Sequence, residues 1–205
     1  MGFMFYCQGI LRSLQDSPYT LTIQPRLEEE DLLKPIKRIV EGQLADGVII
    51  GQTRNDDSRV RYLQQQQFPF VTFGRTKLPE PHAFYDVRHE WITENSVHRL
   101  SKLGHQRIGM INPPEVLNYS GHRLDGFIRG LESFGLCFQA ELQVSTALSF
   151  EAGRKVLQQF IEFPNPPTAI VSPGVSTTLG ILTEMNSANL ILGKDLDLIA
   201  FEGTN

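Results

Sequence analysis

Short apolar runs of four to six residues alternate along this chain with longer segments whose apolar residues recur at helical spacing. Phe3, Tyr6, Cys7, Ile10, Leu11 and Leu14 fall at i, i+3, i+4, i+7, i+8 and i+11, one face of a helix that Pro18 stops. Leu21 to Ile23 reads as the start of a short strand. Glu28-Glu29-Glu30-Asp31, followed by Lys34, Lys37 and Arg38, has the charge order that suits a helix dipole, and Gly42 weakens the end of that helix. Gly47-Val48-Ile49-Ile50-Gly51 predicts a strand covered on both faces, as in a parallel sheet. Asn55 to Ser58 offers N-caps for a helix through Val60, Tyr62 and Leu63 whose polar end is the glutamine run 64–67, and Phe68 to Phe73 is the next strand.

Beyond the Pro-containing loop at 78–82 the chain enters Phe84-Tyr85. Helices over 91–103, 123–134, 150–161 and 176–185 then alternate with strands at 107–111, 142–144, 169–171 and 198–201. Gly104 ends the first of these helices, and Ser176 is placed as the cap of the last. Strands alternating with helices of this length predict an α/β fold of parallel sheets with right-handed crossovers, in which ligands bind beyond the carboxyl ends of the strands. The two halves share their element order, with a boundary near Asp86.

Composition adds mainly exclusions. A chain of 205 residues with 40% hydrophobic and 20% charged residues is ordinary for a globular protein, so disorder, collagen and coiled coil are set aside. Nineteen Lys+Arg against 23 Asp+Glu give a formal charge of -4, which argues against a nucleic-acid surface built from these residues. No apolar stretch of membrane-spanning length occurs and the start lacks the form of a signal peptide, so the expectation is a soluble, cytoplasmic chain without membrane contact. Cys7 and Cys137 lie in no motif and are expected to be reduced thiols.

Catalytic and cofactor signatures are absent. G-x-G-x-x-G does not occur, Gly193-Lys194 lacks the earlier glycine of a P-loop, and His89-Glu90 is followed by Thr93 where a zinc protease places its second histidine. Gly174-Val175-Ser176 lacks the closing glycine of a nucleophile elbow. Neither enzyme activity, cofactor nor metal is expected.

The segment Val97 to Ile111, a helix ending in Leu103-Gly104-His105, then Arg107 and a strand, resembles the most characteristic stretch of the lactose-repressor (LacI/GalR) family of bacterial transcription regulators. Other segments agree in order. Ala45-Asp46-Gly47-Val48-Ile49-Ile50 is similar to A-D-G-I-I, and Pro69-Phe70-Val71 with Gly74-Arg75 is similar to P-x-V-x-x-D-R. Arg123-Leu124-Asp125-Gly126-Phe127 with Gly130-Leu131 is similar to R-x-x-G-F/Y-x-x-A/G-L. Pro167 to Val171 and Asp197 to Glu202 resemble two further family strands.

The resemblance implies a type I periplasmic-binding-protein-like core of two doubly wound parallel-sheet subdomains with a small effector between them. It implies an N-terminal effector subdomain over 1–86 lacking its first strand, a C-terminal one over 87–200, and a crossover starting at 201–205. It further implies a homodimer, and an operator-DNA reader of helix-turn-helix type that this chain does not contain. A periplasmic-type solute receptor for transport is the alternative. Carried over position by position, the effector contacts are Phe3, Tyr119, Arg123, Leu148 and Glu202, with Arg123 suited to hydroxyls or a carboxylate through its planar five-donor fork, and Asp86 is added to them on strand alternation. Gly74, Gly174-Val175 and Arg88-His89 stand where the family usually has acidic or amide residues. Asp86, two before Arg88 on the same face by strand alternation, is placed to supply a missing carboxylate. The effector is expected to be a sugar, sugar acid or phosphosugar.

Overall fold

The computed structural model describes residues 2–25 and 31–201, and of residues 2–5 the backbone alone. The chain divides into two compact units, the smaller built from residues up to 49 together with 57–70, the larger from 50–56 and 71–201.

The smaller unit holds α1 (Gly2–Ser13), α2 (Leu33–Glu41) and α3 (Ser58–Gln65). Cys7 is buried on α1, Ile36 on α2, and Val60 and Leu63 on α3, whereas Leu11, on the expected buried face of α1, is exposed. Asp57 caps α3, its carboxylate accepting from the Arg59 backbone N–H at 3.1 Å. Gln67 leaves the helix with φ 52°, so the glutamine run is its polar end and exit. Residues 21–23 form no strand, in contrast to the expectation. Three alternating residues carry too little pattern to specify a pairing partner, and a strand exists only through its ladder.

A first sheet runs in the order β1 (Val48–Ile50), β2 (Phe70–Phe73), β3 (Phe84–Tyr85), with Thr72 opposite Phe84 and Phe73 opposite Tyr85 in a parallel ladder. The second sheet lies wholly in the larger unit. Its four parallel strands β4 (Ile108–Asn112), β5 (Gln143–Ser145), β6 (Ala169–Ser172) and β7 (Asp197–Ala200) are ordered β5-β4-β6-β7. Every residue of β4 and β6 is buried, as a sheet covered on both faces requires.

Period two sorts those residues. Ile108, Met110, Ala169 and Val171 pack with Val97 and Leu100 of α4 (His89–Lys102) and with Phe127 and Leu131 of α5 (Asn118–Glu132). Ile111 and Ile170 face the opposite way, into Val156, Leu157 and Phe160 of α6 (Phe150–Ile161) and Ile181 and Met185 of α7 (Val175–Ser187). The strand order reverses beside β4, so the carboxyl ends of β4 and β6 form a topological switch point, where doubly wound sheets hold their ligands.

Several boundaries differ from expectation for identifiable reasons. α5 starts at Asn118, five residues before Arg123, because polar residues that show no apolar periodicity are nevertheless buried there: the Asn112 amide donates to Ser120, whose hydroxyl donates to the Pro113 carbonyl at 2.9 Å. α7 is capped at Gly174, not by Ser176, which is exposed within the first turn. β3 stops at Tyr85, because the Asp86 carboxylate accepts from its own neighbour, the Val87 N–H, at 2.7 Å and turns the chain out of the strand. Cys7 is buried and Cys137 exposed, both unbridged.

Candidate functional site

Position Arg123 is fixed from below by glycine. A methyl group at Gly126 would stand 2.1 Å from the Glu90 carbonyl oxygen, and one at Gly130 would stand 2.7 Å from Val97 Cβ, so α5 touches α4 where other residues would hold it off. At that contact the Thr93 hydroxyl donates to the Arg123 carbonyl oxygen at 2.8 Å, locking the turn that carries the arginine. The R-x-x-G spacing thus couples a guanidinium to the helix contact that aims it.

The Arg123 side chain is buried at the carboxyl edge of the second sheet. Nη1 donates to the carbonyl oxygen of Pro173, just after β6, at 3.2 Å, and Nε to His89 Nδ1 at 3.5 Å. The Phe201 ring, just after β7, lies 4.5 Å from Cζ and the Tyr119 ring 5.3 Å from it, so two aromatic faces flank the cation. Burial lowers the guanidinium pKa to about 10, which still leaves it charged at neutral pH. Tyr119 stacks on His89 with centroids 5.1 Å apart, and burial pushes its phenol pKa up. His89 is pushed down to about 4 by burial and then by the Arg123 charge. It is therefore a neutral imidazole at pH 7, its Nδ1 an acceptor for Arg123 and its Nε2 turned to Asp86 Oδ1 at 3.7 Å.

A second line of charges borders this cluster. Arg75 donates through Nε to Asp86 at 2.7 Å and through Nη2 to Glu90 at 3.1 Å, while Glu90 pairs with His122 Nδ1 at 2.7 Å. His122 Nε2 in turn meets the Asn118 amide at 3.1 Å, and the Asn118 backbone N–H donates to the Thr53 carbonyl at 2.9 Å. Desolvation alone would raise the Glu90 pKa, but its backbone hydrogen bond, His122 and Arg75 together hold it below the usual carboxylate range. Gly74, with φ 111°, leaves the space that the Thr53 hydroxyl fills: a methyl group there would sit 2.5 Å from Thr53 Oγ1.

Of the six expected contacts, Asp86, Tyr119 and Arg123 are brought together through His89. Asp86 is spent on Arg75 rather than standing free. Leu148 lies exposed in the loop between β5 and α6, outside this network. Phe3 lies in α1, and its side chain and the whole of Glu202 fall outside the described residues. His89, Glu90, His122, Pro173 and Phe201 were not among the expected contacts. The replacement of the family's acidic and amide pair by Arg88-His89 was a usable signal for His89, whereas Pro173 and Phe201 enter through a carbonyl and a ring at strand ends that no motif marks. Among the described residues no group of three or more His, Cys, Asp or Glu is placed to hold a metal, and no helix is long and apolar enough to cross a membrane.

Residues 3–197 match the family of periplasmic binding proteins and sugar-binding domains of the LacI family. The chain belongs to that family. It spans the effector-binding part of LacI-family transcriptional regulators, and its fold is the periplasmic-binding-protein-like one that the resemblance implied. It is 30% identical over 198 residues to the HTH-type transcriptional regulator AglR of Rhizobium meliloti (strain 1021), covering 96% of this chain and 55% of that protein. It is 26% identical over 167 residues to the HTH-type transcriptional regulator RafR of Escherichia coli, covering 81% of this chain and 49% of RafR. The chain thus spans about half the length of these curated relatives. Among solved structures, a regulatory protein of the LacI family from Chloroflexus aggregans superposes with a TM-score of 0.83 at 24% identity, over 94% of this chain and 69% of that one. A LacI family transcriptional regulator from Mycobacterium smegmatis does so with a TM-score of 0.72 at 25% identity, over 82% and 62%.

Proposed function

We propose that this chain is the effector-sensing module of a bacterial LacI-family transcription regulator. It binds a small sugar-like ligand around Arg123 at the carboxyl ends of β6 and β7, and that binding controls attachment of the regulator to operator DNA through a helix-turn-helix segment outside this chain. The observation that carries the reading is Arg123 itself, a charged side chain buried at the switch point and held between aromatic rings, where a doubly wound sheet takes its ligands. Tyr119 adds a hydroxyl and Phe201 an apolar wall. Phe3, Asp86, Leu148 and Glu202 are assigned further contacts with the ligand, and the regulator works as a homodimer. The relatives regulate transcription, which favours this reading over a transport receptor, and no catalytic step is assigned.

The test is a thermal-shift screen of sugars, sugar acids, phosphosugars and purines, with Arg123→Ala alongside and its fold checked by circular dichroism. A ligand at about 100 times its Kd stabilises by about 2.7 kcal/mol. A hit that is lost in folded Arg123→Ala is expected, and it should alter operator affinity of the full regulator in a mobility-shift assay. Hits indifferent to Arg123→Ala would overturn the assignment.

A further inference from the structure

Arg123 is a cation only 9% exposed, yet no carboxylate pairs with it among the described residues. The nearby acids are committed elsewhere: Asp86 to Arg75, and Glu90 to Arg75 and His122. The partners Arg123 does have, the Pro173 carbonyl and the His89 ring nitrogen, are neutral acceptors, and His89 is held uncharged at neutral pH. Nη2 takes part in neither bond. A charge removed from water without a counterion is costly, so the site is built at a cost that an anion would offset.

A second positive element adjoins it. Helix α7 has 13 residues and starts from Gly174, where no side chain caps the free N–H groups of the first turn. A methyl group at Gly174 would meet nothing nearer than the Phe201 carbonyl oxygen at 4.0 Å, so a side chain at the cap has room. Pro173, which receives the Arg123 hydrogen bond, directly precedes that cap, and the Phe201 ring lies against the guanidinium. The dipole of the helix and the arginine therefore act on neighbouring space.

We propose that the ligand presents an oxyanion, a carboxylate or a phosphate, to Arg123 and the amino end of α7. The proposal rests on the reading of this site as the effector site and narrows that reading from polar ligands in general to acidic ones.

Isotope-labelled full chain is titrated with inorganic phosphate and, separately, with acetate, against sodium chloride at matched ionic strength. The signals followed are the Arg123 Nε–H and the backbone amides of Val175, Ser176 and Thr177. Saturable shifts with an anion, absent with chloride, are expected. They should weaken roughly tenfold or more in Arg123→Gln and in Gly174→Asp, which sets a competing carboxylate at the helix cap without touching the guanidinium. A response to phosphate alone identifies a phosphate ester, to acetate alone a carboxylic acid, and to both the shared oxyanion chemistry. No saturable shift with either anion, or shifts that persist undiminished in Gly174→Asp, overturns the proposal. If methyl glycosides move these signals while anions do not, the effector reading stands and the acidic ligand falls. Silence toward glycosides and anions alike removes both.

Discussion

Gly126 and Glu90 set the distance between α4 and α5, since any Cβ at Gly126 would lie 2.1 Å from the Glu90 carbonyl oxygen. The obstacle is backbone, which cannot rotate away as a side chain can. Gly126→Ala should therefore cost about 1–3 kcal/mol, a fall in Tm of roughly 2–4 °C per kcal/mol for a chain of this size. Gly121→Ala, five residues earlier on the same helix with nothing within 4 Å of the new methyl, should leave Tm unchanged or raise it slightly. Because Arg123 rides on the displaced turn, ligand-induced stabilisation should also shrink in Gly126→Ala. Equal Tm values for the two variants would show that the glycine is not needed for the helix contact.

The second sheet was legible because its strands are short continuous apolar runs, such as Ile108 to Ile111, between helices of clear amphipathic spacing. α6 was legible to the residue, since Ser149 caps it and its apolar face is unbroken to Ile161. What periodicity could not show is burial achieved by polar groups. The first turn of α5 packs through Asn118 and Ser120, which are hydrophilic by composition and buried by hydrogen bonding. The site divides in the same way. Arg123 and Tyr119 stand on a motif with a fixed spacing and His89 on a departure from the family pattern, while Glu90 and His122 join them only because α4 and α5 pack at close range, a three-dimensional fact with no linear signature.

His89 makes the stability of the larger unit pH-dependent. The unfolded chain takes up a proton on this ring near pH 6.5, whereas the folded ring resists until about 4. The contribution is complete above the unfolded value and is lost as the pH falls toward the folded one. Between pH 6.5 and 5 unfolding free energy should drop by on the order of 1–2 kcal/mol from this group, allowing for solvent screening. Urea melts at those two pH values measure it, and His89→Gln should flatten the difference. A wild-type stability that stays level or rises on acidification over this window would contradict the buried, neutral imidazole.

Two serines separate a real cap from an apparent one. Ser149 accepts from the Ala152 N–H at 3.1 Å at the start of α6, whereas Ser176 sits exposed one residue inside α7 and caps nothing. Ser149→Ala should cost about 1 kcal/mol and Ser176→Ala only a few tenths. Denaturant midpoints at constant m value distinguish the two. The reverse ranking would place the cap of α7 at Ser176 after all.

His105 ties three strands at the end of the sheet opposite Arg123. Gly104 ends α4 in the left-handed region, φ 96°, and hands the chain to an imidazole whose Nε2 lies 2.7 Å from Asp197 Oδ2 and whose Nδ1 lies 2.9 Å from the Thr168 hydroxyl. Asp197 opens β7, Thr168 precedes β6 and His105 leads into β4, so one ring spans the amino ends of all three. An aspartate only accepts, so Nε2 donates to it and Nδ1 is left to accept from Thr168 in the neutral ring. His105→Ala should cost about 1–2 kcal/mol and Asp197→Ala a similar amount. Because they break the same bond, the double variant should be less destabilised than the sum of the two by roughly 0.5 kcal/mol or more. Thermal melts of the four proteins in this cycle decide it: strict additivity would mean that the imidazole and the carboxylate act independently, and that the histidine of the Leu103-Gly104-His105 segment does not clamp the strands.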